Sequence, residues 1–140
     1  MTDPAADGAR RAEDLLRLLT DGDDDGAGRL LGELIDVRDL VFAGAGLTAV
    51  ARSEARSLPP AQRAQANTRQ LRLGELRDAN RDNPAGLRTW LRQAGEEILL
   101  IRSQQEVADR VIASDQEWTA ARAAAEASGT AAVSTAATST

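Results

Sequence analysis

The sequence predicts an all-α protein, a small bundle of four or five helices with one long C-terminal helix and a low-complexity tail. Three observations carry that prediction. Apolar residues recur at three- and four-residue spacing in several separate stretches. Alanine, leucine and arginine, all good helix formers, dominate the composition, whereas only three aromatic residues occur in 140. The four prolines, Pro4, Pro59, Pro60 and Pro84, stand where helices should begin rather than inside them.

The first helix is predicted over Ala9 to Thr20, with Ala12, Leu15, Leu16, Leu18 and Leu19 turned inward and Arg10, Arg11, Glu13, Asp14 and Arg17 outward. Asp3 before Pro4 offers an earlier start. An acidic turn follows at Asp21 to Gly26. Leu30, Leu31, Leu34, Ile35 and Val37 open a second helix, expected to run on to about Arg56 through an interior rich in small residues from Ala43 to Ala51. Such residues allow another helix to approach closely, although each glycine costs ~1 kcal/mol of helix stability relative to alanine. Ser57-Leu58-Pro59-Pro60 is a boundary, because a proline disfavours helical backbone in the residue before it. Pro60 then starts a third helix reaching about Asn80. It is sparsely apolar and carries Arg63, Arg69, Arg72 and Arg77, with Arg81 just beyond.

The stretch from Leu87 to Ala127 holds most of the bulky apolar residues of the second half. One seam comprises Leu91, Ala94, Ile98, Ile101, Ala108 and Ile112; a second comprises Leu100, Gln104, Val107, Val111, Ser114 and Trp118. Two adjacent seams predict a helix covered on two sides. Asn83-Pro84 is the start signal and Gly129 the expected stop. A continuous helix of this length would reach about 60 Å, more than the width of a small domain. Either Gly95 breaks it or its far end leaves the bundle. Residues 1–128 are thus read as the bundle domain and 129–140 as an Ala/Ser/Thr tail with no reason to fold alone.

Leu, Ile, Val and Phe together number 28 of 140 residues, so the core is thin and an apolar face is expected to be completed by another copy or another protein. The chain has no Cys, His, Tyr or Lys, and all 17 basic residues are arginine. This removes thiolate nucleophiles, Ser-His-Asp relays, zinc fingers, Schiff-base lysines and the phosphate-loop lysine. No remaining constellation suggests catalysis or a cofactor, and a non-enzymatic protein is expected. Arginine and alanine in place of lysine and isoleucine resemble the bias of a GC-rich bacterial genome or its phages. The N-terminal residues lack the pattern of a secretory signal, and the longest apolar run, Leu40 to Ala51, is too short to span a bilayer. The expected location is the cytoplasm, or a particle assembled there.

Three motifs invite sharper readings. Asp21, Asp23, Asp25 and Gly26 match the start of a calcium-binding loop, but position 12, which should be a bidentate glutamate, is Gly32, and Glu33 comes one place late. A solvated turn whose aspartates cap the next helix is the better reading. Gly44, Gly46 and Ala49 form G-x-G-x-x-A, yet no second strand can follow at the required distance, so a helix-packing face is preferred. Charge is segregated: residues 1–36 hold ten acids and four arginines, net −6, whereas residues 51–92 hold nine arginines and four acids, net +5. Arg63, Arg69, Arg72, Arg77 and Arg81 could contact nucleic acid. The chain as a whole is acidic, however, and no aromatic residue interleaves with them, so packing against acidic neighbours is the favoured explanation. The expected partner is a protein or a second copy of the chain, met through Ile98, Ile101, Val107, Val111 and Trp118. No membrane partner is expected.

Overall fold

A computed structural model describes the backbone of residues 3–138 and the side chains of residues 3–128. It contains five helices, α1 (Pro4–Thr20), α2 (Asp24–Glu33), α3 (Val37–Ala55), α4 (Pro60–Ala79) and α5 (Pro84–Thr138), with no strand among the described residues. The side chains of the expected tail, 129–140, lie outside the described set.

Local chemistry sets most of the boundaries. Asp3 accepts from the Ala5 N–H (3.1 Å) with Pro4 in the first turn, so α1 begins five residues before the seam-based prediction, at Pro4. It ends at Gly22, which adopts φ 72°. The Asp23 N–H donates to the Leu18 carbonyl (2.9 Å) and the Gly22 N–H to the Leu19 carbonyl (3.1 Å), the double closure of a Schellman motif. Asp23 then caps α2 by accepting from the Gly26 N–H at 2.8 Å. The acidic turn is therefore a helix exit joined to a helix entrance.

The expected single helix from Leu30 to Arg56 is corrected to two. Helix α2 stops at Glu33, and Asp36 accepts from the Arg38 N–H (3.0 Å) to start α3. The Nε of Arg88 donates to the carbonyls of Leu31 (3.1 Å) and Leu34 (3.2 Å) at the end of α2, where the Leu31 oxygen also accepts from the Leu34 N–H (3.2 Å). Helix α5 is continuous through Gly95, and its backbone also passes Gly129, where a stop was expected.

The chain divides into a unit ending at Gln105 and another beginning at Glu106, a boundary earlier than the expected one at residue 128. The first unit has a real core, in which Leu15, Leu40, Leu47, Leu87, Leu91, Ile98 and Ile101 are fully enclosed. Small residues make it possible. A Cβ added at Gly8 would lie 2.5 Å from the Phe42 carbonyl oxygen, and one at Gly46 would lie 3.1 Å from the Ala12 Cβ, so α1 and α3 cross nearly backbone to backbone. A Cβ at Gly44 would fall on the benzo edge of Trp90, whose indole is buried over that glycine. The G-x-G-x-x-A pattern is thus a packing face.

Arginines fasten the outer helices. Glu97 on α5, the one buried charged residue among those described, is held by Nε of Arg69 on α4 at 2.7 and 2.9 Å. Arg102 makes a two-pronged pair with Glu54 on α3 (2.7 and 3.0 Å), and this hydrogen bonding raises the guanidinium pKa above its ordinary value against a smaller opposing effect of burial. Arg92 reaches Asp24 on α2 at 2.9 Å. The segregated charge of the sequence is spent partly here, basic middle against acidic neighbours.

Candidate functional site

The two-sided cover predicted for the long helix holds only for its first part. Ile98 and Ile101, expected to meet a partner, are fully buried in the first unit and are structural. Both belong to the hydrophobic core of that unit, a membership that a pattern of spacings cannot reveal. Among the described residues the second unit contains α5 from Glu106 onward and no other helix, so the same kind of apolar spacing continues there without a covering element. Val107 and Val111 are about half exposed, and Trp118 is 65 % exposed. Ile112 is also exposed but sits round the helix from the other three.

On a helix turning 100° per residue, Val107, Val111, Ser114, Trp118, Ala121 and Ala125 fall within an arc of about 80°. Charged residues flank this seam. The Arg122 guanidinium stacks on the Trp118 ring, 5.3 Å from its centroid, and its Nε donates to Glu126 at 3.3 Å. Arg110 pairs with Glu106 one turn back. Asp115 and Glu117 make no hydrogen bond or ion pair with any described residue. The seam is a narrow apolar stripe with one large aromatic at its centre and small residues on either side of it.

The five arginines proposed for nucleic acid do not form one surface. Arg69 is turned into the Glu97 pair, and Arg77 pairs with Asp78 at 3.1 Å, with Arg81 also near that carboxylate at 4.0 Å. Arg63 and Arg72 are exposed but point about 180° apart around α4. Among the described residues no group of three or more acids could hold a metal ion; the side chain of Asp23 is engaged as a cap and that of Asp24 by Arg92. A groove of about 620 Å³ between α3, α4 and α5 is lined in part by Trp90, Leu47 and Leu71, with Arg52, Arg77 and Asp78 at its rim. Thr48, Asn67, Gln70 and Glu75 add polar groups to its lining. No helix among the described residues is long and apolar enough to cross a membrane.

The geometry defines an all-α bundle protein carrying an uncovered helical seam. No known protein family, no curated protein and no solved structure matches this chain.

Proposed function

We propose that the chain is a non-enzymatic helical subunit that works by protein contact, with the seam of Val107, Val111 and Trp118 as its contact surface. The observation carrying this reading is the exposure of those three side chains on a helix that no other described helix of its unit covers. Each is about half exposed or more, so complete cover would contribute on the order of 1 kcal/mol per side chain. Association costs ~4–15 kcal/mol in lost freedom, so contact through the seam alone is reversible. The arginine-only basic set supports an origin in a GC-rich bacterium or one of its phages, and the role proposed there is a structural or assembly component of a particle built in the cytoplasm.

Photo-cross-linking tests the reading. With benzoylphenylalanine in place of Ala124, beside the seam but outside it, irradiation in the cell that naturally makes the protein should give a discrete protein adduct. Trp118→Asp should abolish it. Absence of any adduct, or an adduct indifferent to Trp118, refutes the proposal.

A further inference from the structure

We propose that the seam is covered by the same seam of a second copy of this chain, the two helices running parallel and in register as a short coiled coil. This rests on the contact function proposed above and names its partner. The seam residues alternate at steps of four and three: Val107, Val111, Ser114, Trp118, Ala121 and Ala125. A seven-residue repeat of this kind keeps two helices in contact along their length. Ser114 and Ala121, the seam residues immediately before and after Trp118, are small and leave room for two indoles at the centre.

Charge selects the occupant and its direction. In a parallel pair, the flanking residue before one seam position faces the flanking residue five places later on the other helix. Arg110 of one copy then faces Asp115 of the other, and Glu117 faces Arg122. Both cross-pairs are attractive, and each occurs twice by symmetry. Of the five acids in the second unit, Asp115 and Glu117 are the two with no hydrogen bond or ion pair to a described residue. The pairs that Arg110 and Arg122 make within the helix are exposed, so sharing or exchanging them is inexpensive. The antiparallel alignment that sets Trp118 against Ser114 opposes Glu117 to Glu117 and Asp115 to Asp115, and those shifted to either side keep one kind of attractive pair, Arg110 with Glu117 or Asp115 with Arg122, where the parallel pair has two.

The test uses the full chain. Light scattering should give a reversible species of twice 14.8 kDa. Glu117→Arg alone and Arg122→Glu alone should each raise the dissociation constant roughly ten- to thirty-fold, while an equimolar mixture of the two should recover the original value. The chain has no cysteine, so Ser114→Cys reports geometry cleanly: mild oxidation should link it to itself across the pair. A dimer in which Ser114→Cys links only to Ala125→Cys is antiparallel and overturns the inference. So does a mixture of charge variants no tighter than its components. A monomer at every concentration, with a photo-adduct of some other mass, overturns the self-pairing while leaving the contact function standing; no adduct at all removes both.

Discussion

Gly44→Ala should destabilise the first unit even though alanine is the better helix former. Helix propensity favours the substitution by ~0.8–1.0 kcal/mol. Against this, the new methyl would coincide with the benzo edge of Trp90, a ring 3 % exposed and hemmed in by the core. Forcing such a group aside costs typically 1–3 kcal/mol and occasionally more. The net expectation is a loss of up to roughly 2 kcal/mol, or a fall in Tm of up to about 15 °C for a unit of this size. Thermal melts followed by circular dichroism read the change. The informative comparison is the same substitution in a Trp90→Leu background, where the ring is gone: there Gly44→Ala should be neutral or stabilising. Gly28→Ala and Gly32→Ala, at helical positions with open space, should each stabilise by ~0.5–1 kcal/mol. If Gly44→Ala is stabilising in the native chain, or its cost is unchanged without the indole, the close seating of Trp90 over α3 is refuted.

Other expectations concern the polar fastenings. Arg69→Ala strands Glu97 inside the first unit and should cost about 3 kcal/mol, whereas Glu97→Ala leaves Arg69, already one-quarter exposed, able to reach water and should cost less; urea titrations of the two variants give the ordering, and equal costs would contradict it. Arg88→Ala removes the donor to Leu31 and Leu34 and should lower stability by ~1–2 kcal/mol, with loss of amide protection concentrated at the end of α2 in hydrogen exchange. Gly22→Ala should cost ~1–2 kcal/mol for its left-handed backbone. Asp23→Ala should cost ~1 kcal/mol and Asp23→Asn almost nothing, because either side-chain oxygen caps α2. Millimolar calcium should leave the melting temperature of the native chain unmoved; a rise that depends on Asp23 would revive a cation site at this turn.

Boundaries written in local chemistry were legible before any coordinates. Pro60 and Pro84 open helices where the sequence places them, and α4, expected as the third helix, ends at Ala79 within a residue of expectation. The division between α2 and α3 was hidden because Leu34, Ile35 and Val37 continue the apolar spacing straight across the loop that Asp36 closes as the cap of α3. What spacing could not supply was pairing across the chain. Arg69 and Glu97 are 28 residues apart, and neither residue type announces the other. The same limit explains the contact surface. Ile101 and Val107 belong to similar apolar rows on one helix, yet one is enclosed and the other open. Ile101 belongs to the core of the first unit and Val107 to the second unit, a division that spacing does not show. The sharpest signal for the uncovered segment was the thinning of its neighbours to alanine around Trp118.

The placement of the two indoles makes them separate optical reporters without any label. Trp90, sealed over Gly44, should emit toward the blue and be sheltered from iodide, while Trp118, open to water beside Arg122, should emit toward the red and be quenched. Melting of the bundle and occupancy of the seam can therefore be followed in a single cuvette, as opposite movements of two resolvable emission components.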